Sequence, residues 1–379
     1  MDRRSFLGAT ALMAAPGLLL ARAATERRFI FIIQRGAADG LNTLIPYADP
    51  AYASARGALA IDPGSALKLD GTFALHPALG HLRTLYAAGQ ATFFHAVASA
   101  YRDRSHFDGQ NVLETGGRAP YQIKDGWMNR LLGVLPRSGK DAIAFSAAVP
   151  MAFQGAVPVT SYAPSALPQA NDELMLRVEQ LYAQDAQLHA LWSSALEARG
   201  MAGGMAAGAN RQDATALGRM AAGFLGRADG PRLAMIETSG WDTHSAQAAR
   251  LATQLGHLDK LLAGLQQGLG PVWDQTVVLV ATEFGRTVAA NGTGGTDHGT
   301  GAVAMLVGGA VDGGRIVADW PGLSGAHLLD GRDLKPTLAL EALIAATCAQ
   351  SFALEPDRLA SVLFPQGGQD TLAARLLRA

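Results

Sequence analysis

Three short segments put acids and imidazoles on turns: Gly240-Trp241-Asp242-Thr243-His244, Thr282-Glu283-Phe284-Gly285-Arg286-Thr287 and Gly295-Thr296-Asp297-His298-Gly299. Carboxylate oxygens and imidazole nitrogens suit a hard or borderline divalent ion, Zn²⁺ or else Mn²⁺ or Mg²⁺. Taken singly, each segment reads more readily as a helix cap on a polar loop, because Asp and Thr are favoured N-caps. Three of them in one chain favour a metal site.

The elements around these turns say how they are brought together. Leu233-Ala234-Met235-Ile236 leads into the first segment and Thr276 to Ala281 into the second, and both are apolar runs of the kind that form buried strands. Arg28 to Ile33, Ala91 to Val97 and Ala142 to Phe145 read as further strands. Helical patterns cover His81 to Ala88, Ser105 to Glu114, Ser245 to Leu269 and one long stretch from an Asn171 cap to about Gly200. A Gly/Met/Ala-rich loop is expected from Gly200 to Gly208. Strands alternating with helices predict an α/β fold, doubly wound, with a mainly parallel central sheet and helices on both faces. In such sheets ligands bind beyond the carboxyl ends of the strands, where the first two segments fall.

The N-terminal residues predict the compartment. Met1-Asp2-Arg3-Arg4-Ser5-Phe6-Leu7 has the paired arginines of a twin-arginine export signal, and Ala21-Arg22-Ala23 is a small-x-small cleavage site. Residues 1–23 are therefore expected to be a signal peptide. Residues 24–379 are expected to be a single domain, with a helical insertion near 155–225, in the periplasm or secreted. The apolar stretch from Phe6 to Leu20 is short for a bilayer span, which takes about 20 residues, and no stable membrane span is expected after cleavage. Removing the segment takes away three arginines and one aspartate, moving the formal charge from −1 to −3. That balance speaks against a nucleic-acid partner. Cys348 is the only cysteine, which excludes an intramolecular disulfide; it sits in an apolar helical pattern as a buried thiol.

The chain resembles an exported bacterial family known as domain of unknown function 1501, within the alkaline phosphatase and sulfatase superfamily. The resemblance runs from about residue 27 to residue 365. It is carried by Arg35 to Thr43, Arg104-Ser105-His106-Phe107-Asp108, Gly240 to His244, Glu283 to Thr287 and Thr296 to Gly299. It implies an alkaline-phosphatase-like domain with one or two divalent ions at the strand ends, where paired metals clamp the attacking and leaving oxygens of an in-line displacement. Asp39 matches the first metal carboxylate, Asp242 and His244 match an Asp and His close in sequence, and His298 resembles the final metal histidine. Glu283-Phe284 stands where the superfamily has an Asp-His pair, so Glu283 is expected as a metal ligand in place of the Asp, with a longer reach, while Phe284 replaces an imidazole with a side chain that cannot bind metal. Asp297 is then either the missing ligand or the partner that orients His298.

By the same resemblance, Thr115-Gly116 matches the end of the nucleophile helix, and counting back places Ser105 and His106 at its start. Ser105 is a nucleophile in one reading and a helix cap, with Asp108 completing the capping box, in the other. His106 is a covalent acceptor or a metal ligand. Arg35 and Arg286 are placed either to clamp an anion or to pair with local carboxylates, Arg286 with Asp297 for example. Asn42 and Gln110 are further polar candidates. Two function classes follow. One is a metal-dependent hydrolase acting on small or polymeric phosphate or sulfate esters. The other is a non-catalytic exported binding or assembly protein on the same scaffold, which suits a co-exported partner protein.

Overall fold

Alternate side chains of the central strands enter two separate cores, because successive residues of an extended chain point to opposite faces. Strand β1 (Arg28–Gln34) sends Phe29, Phe31 and Ile33 to one face and Ile30 and Ile32 to the other. β5 (Leu233–Thr238) and β6 (Thr276–Ala281), on either side of it, divide their residues in the same way. Every residue of β1 and β6 is buried, which is why their sequences read as unbroken apolar runs rather than alternating ones. The structure, a computed structural model, describes residues 26–136, 141–163, 172–202, 213–367 and 372–378. The expected signal peptide at residues 1–23 lies outside them, as do the Asn171 cap and most of the expected Gly200 to Gly208 loop.

The remaining strands of the main sheet are β2 (Ala91–Ala98), β3 (Ala142–Phe145), β4 (Thr160–Ser161), β7 (Ala302–Val307), β8 (Arg315–Val317) and β9 (Leu338–Ala339). The nine strands follow the order β8-β2-β7-β6-β1-β5-β3-β4, with β9 also beside β2. β7 runs antiparallel to both its neighbours, β6 and β2, and the other pairings are parallel. A separate small sheet joins Leu44–Ile45, Ala74–Leu75 and Leu67–Lys68.

The helices in chain order are α1 (Gly40–Thr43), α2 (Tyr52–Arg56), α3 (Gly80–Ala87), α4 (His106–Thr115), α5 (Trp127–Val134), α6 (Asp172–Tyr182), α7 (Ala186–Ala202), α8 (Ala214–Leu225), α9 (Gln247–Leu269), α10 (Leu340–Phe352) and α11 (Pro356–Leu363). One face of the sheet is covered by α5, α10 and α11, the other by α3, α8 and α9. The α/β, doubly wound, mainly parallel arrangement with helices on both faces is therefore as expected. The single helix expected from 171 to 200 is instead two. Asp185 interrupts it, accepting the amides of Gln187 and Leu188 (both 2.9 Å) as the cap of α7, a break that apolar periodicity does not register. Within the segment expected as an insertion, α8 buries Met220, Ala221 and Phe224 against the sheet. No helix among the described residues is long and apolar enough to cross a membrane.

The reversed direction of β7 decides which side chains meet at this end of the sheet. The residues before β7 lie at the same sheet edge as the residues after β1, β2, β5 and β6. His298 therefore meets side chains that follow the other strands.

Candidate metal centre

His106 begins α4, Asp242 and His244 follow β5, Glu283 follows β6, and His298 precedes β7. The last two segments are zipped together. Gly285 donates to Thr300 O (2.9 Å), Gly299 donates to Gly285 O (2.8 Å) and Thr287 donates to Asp297 O (2.9 Å). Backbones approach so closely here that a Cβ on Gly285 would lie 1.9 Å from the Gly301 carbonyl oxygen. On the other side Gly36, at φ +119°, leaves room for the Asp242 amide, which a Cβ would meet at 2.6 Å.

Each of three imidazoles turns Nδ1 to an oxygen acceptor. His106 Nδ1 meets Glu283 Oε1 (2.8 Å), His298 Nδ1 meets the Arg104 carbonyl (2.7 Å) and His244 Nδ1 meets Asp297 Oδ1 (3.1 Å). A proton on Nδ1 would leave each Nε2 its lone pair for an ion, and the three Nε2 atoms converge on Asp242. His106 lies 3.4 Å from Oδ2; His244 and His298 lie 3.1 and 3.4 Å from Oδ1. The Nε2 atoms of His244 and His298 are 2.9 Å apart. Among the described residues, His106, Asp242 and His298 form a group able to share one ion, and His106 Nε2 is buried without a hydrogen-bond partner. Imidazoles whose second nitrogen is held by an oxygen are the usual form of metal-binding histidines. Nitrogen donors with one carboxylate fit a borderline ion of the Zn²⁺ or Mn²⁺ kind.

The charges around the cluster are held in place. Burial raises the Asp242 pKa, but Arg286 outweighs it through a 2.7 Å hydrogen bond, and the carboxyl lies below its ordinary range. Arg286 is itself fixed by Thr296, through Oγ1 (3.1 Å) and the carbonyl. Glu283 is wholly buried. Burial pushes its pKa up, but hydrogen bonds from His106, Gln110 (3.0 Å) and the Gly36 amide (2.8 Å) reverse the shift. The Glu283 hydrogen bond in turn raises the His106 pKa against the effect of burial. His298 is lowered, by burial first.

Phe284, whose side chain cannot bind metal, forms a wall of the cluster. Its ring stacks on His106 at 5.1 Å and 21° and lies 5.3 Å from His298. Gly109 makes room for it, since a Cβ there would sit 3.0 Å from the ring.

Other candidates lie further out. Asp39 is buried with both oxygens occupied. Oδ1 accepts the amides of Leu41 (2.9 Å) and Asn42 (3.2 Å), and Oδ2 accepts Gln247 Nε2 and pairs with the buried Arg56. Asn42 belongs to the same buried network, donating to Leu59 O (2.8 Å) and accepting from Arg56 Nε (3.2 Å). Arg35 pairs with Glu114 (2.8 Å) and Glu237 and donates to Gln110 (2.8 Å). Burial opposes its charge, but the two glutamates hold its pKa above the ordinary value. The local partner of Arg286 is Asp242 rather than Asp297, and Asp297 orients His244 while the Arg104 carbonyl orients His298. Ser105 stands at the cap position of α4, where its side chain makes no capping bond.

The supporting residues that sequence reasoning missed are Arg56, Gln247, Arg332 and Asp333, and Arg104, though part of a matching segment, is given no role by it. Gln247 joins Asp39 to Thr296, which it reaches at 2.5 Å. Arg104 is held through Asp333 (2.7 Å), which also accepts from Thr300 (2.8 Å). None of the other four lies in a spacing that marks it, and the left-handed φ of 60° at Arg104 is invisible in the sequence.

The chain matches the family described as "Protein of unknown function (DUF1501)" over residues 26–363. It belongs to the DUF1501 family. No curated protein matches this DUF1501 chain. Solved structures similar to it include the C-terminal periplasmic domain of EcEptC from Escherichia coli in complex with Zn. That match has 11% identity and a TM-score of 0.45, covering 94% of the DUF1501 chain and 93% of the other. The phosphonate monoester hydrolase of Agrobacterium radiobacter matches at 11% identity and a TM-score of 0.42, with coverage of 91% and 79%. Alkaline phosphatase from the Antarctic bacterium TAB5 matches at 13% identity and a TM-score of 0.36, with coverage of 74% and 91%.

Proposed function

We propose that this protein is an exported metal-dependent hydrolase of phosphate or sulfate esters that works with a single divalent ion. The observation that carries this is the convergence of His106, His244 and His298, each oriented through Nδ1, on the carboxylate of Asp242. His106, Asp242 and His298 would hold the ion, with His244 Nε2 beside His298. Bound there, a divalent ion supplies Lewis acidity toward an ester oxygen and makes water a stronger acid.

The chain's own residues set the conditions for that chemistry. Glu283 keeps the proton of His106 on Nδ1, Arg286 keeps Asp242 ionised, and Phe284 excludes water from one side of the cluster. One ion rather than two is favoured because Asp39, which the family resemblance would make a ligand, already faces the Arg56 guanidinium. That cation neutralises Asp39 without any metal. Ser105, beside His106 at the start of α4, is the side-chain nucleophile most directly placed to test. The proposed compartment is periplasmic or extracellular, by twin-arginine export of the folded chain.

Metal analysis of protein purified without chelator, paired with hydrolysis of nitrophenyl phosphate, bis(nitrophenyl) phosphate and nitrophenyl sulfate, tests the reading. About one equivalent of a transition ion and a chelator-sensitive activity are expected. A well-folded protein that takes up none of Zn²⁺, Mn²⁺ or Mg²⁺ would remove the hydrolase and leave the binding-protein alternative.

A further inference from the structure

His298 is gripped at both ends by arginines that share one buried carboxylate. The Arg104 carbonyl holds its Nδ1 at 2.7 Å, and Arg332 Nη2 donates to its main-chain carbonyl at 2.8 Å. Asp333 joins the two arginines. Its Oδ2 accepts from Arg104 Nε (3.0 Å) and Nη2 (2.7 Å), and its Oδ1 lies 3.3 Å from Arg332 Nη1. Thr300, just beyond His298 in the chain, donates from Oγ1 to the same Oδ2 at 2.8 Å. Asp333 is not among the residues that could share the ion, and the hydrolase reading gives it no part.

The carboxylate is held independently of the cluster. Leu329 and Asp333 exchange both main-chain hydrogen bonds, each 2.9 Å, closing a turn in which Asp330 and Gly331 take left-handed φ values of 55° and 63°. Arg104, by contrast, needs an anchor. Its φ of 60° is uncommon for a residue with a Cβ and persists only where the surroundings fix it. Among the described residues, Asp333 accepts both of its side-chain hydrogen bonds.

Stability alone does not account for Asp333. Its side chain is fully buried, and Oδ1 makes no hydrogen bond among the described residues. Burying a carboxylate with an oxygen left over is costly, and a buried ion pair often stabilises no more than apolar packing would. What the pair does fix is the direction of the carbonyl that faces His298 Nδ1.

We propose that Asp333 is a positioning residue: by anchoring Arg104 and Arg332 it keeps the Arg104 carbonyl on His298 Nδ1 and so turns Nε2 toward Asp242. This rests on the hydrolase reading only for the ion that Nε2 would meet; the orientation of the ring is a property of the metal-free chain.

The test uses whole metal-free protein labelled with ¹⁵N in its histidines, above neutral pH, where His298 is uncharged. His298→Gln assigns the His298 signals. In the wild type His298 should carry its proton on Nδ1. Asp333→Asn keeps the shape of the side chain without its charge. It should give His298 a mixture of the two tautomers, while His95, held by the Leu44 carbonyl, keeps its signals. Arg104→Gln, at a partly exposed position, frees the same carbonyl without altering Asp333, and decides the matter if Asp333→Asn does not fold. Zn²⁺ affinity, measured by competition with a chelator, should fall 10- to 100-fold in either variant. A wild-type His298 spectrum in a folded variant, a proton on Nε2 in the wild type, or unchanged Zn²⁺ affinity in a variant overturns the role of Asp333. The hydrolase reading survives each of these results. If the wild type takes up none of Zn²⁺, Mn²⁺ or Mg²⁺, that reading fails, and the spectra alone decide whether Asp333 positions the ring.

Discussion

The 2.8 Å hydrogen bond between His106 Nδ1 and Glu283 Oε1 decides which nitrogen of His106 faces Asp242. Glu283 never reaches the cluster's interior, yet it orients the histidine that does. Glu283→Gln keeps the shape but makes the acceptor neutral and able to flip. We predict a 10- to 100-fold loss of metal affinity, the usual effect of removing such a partner, with circular dichroism unchanged. Affinity for Zn²⁺ or Mn²⁺ equal to that of the wild type would show that Glu283 does not position His106.

The same bond gives metal uptake a pH dependence. Glu283 raises the His106 pKa, so a proton competes with an ion for Nε2 more strongly than on a free imidazole. Uptake should release protons, and affinity should fall as pH is lowered from the neutral range. In metal-free protein the sign is opposite. A histidine whose folded pKa is raised adds stability at low pH and loses it as pH rises through the folded value. Comparing unfolding midpoints of metal-free wild type and His106→Gln across pH tests this, and a difference that grows with rising pH would contradict it.

Asp39 and Arg56 make a buried ion pair that needs no metal. Asp39→Ala leaves a guanidinium buried without its counter-charge, a change that costs about 3–5 kcal/mol in other proteins. We expect that destabilisation to be as large in chelator as in the metal-loaded protein when each is compared with its own wild type. A loss confined to the loaded form would make Asp39 a ligand after all.

His95 makes acid destabilising. Its ring is fully buried, with Nε2 on the Leu44 carbonyl (2.9 Å) and Nδ1 accepting the Ala96 amide (2.8 Å), an arrangement that requires the neutral form. Burial lowers its pKa to about 4. The stabilisation is complete above the unfolded value near 6.5 and is lost as pH falls toward about 4, a swing of roughly 3 kcal/mol. His95→Gln should flatten that part of the denaturation curve, and parallel curves for the two proteins would refute the assignment.

The sequence makes β1, β5 and β6 legible because most of their residues are buried on both faces and apolar, but it does not give their order in the sheet. It also shows that Asp242, His244 and His298 lie on turns at strand ends. It does not show which nitrogen of each histidine is free, because that depends on acceptors as distant as Arg104, whose carbonyl holds His298 from 194 positions away. Nor does it show that Arg56 has taken up Asp39. A long-range pair of this kind leaves no periodicity, and only the packed chain brings α2 against α1.

The reversed strand β7 has a consequence for when the protein can acquire its ion. His298 reaches the cluster only after β7 has inserted between β2 and β6, strands whose first residues are 185 positions apart along the chain. A chain without that insertion would lack His298, so tight binding at the proposed site would require this part of the sheet to be formed. An ion bound there would distinguish chains in which β7 is in place from those in which it is not.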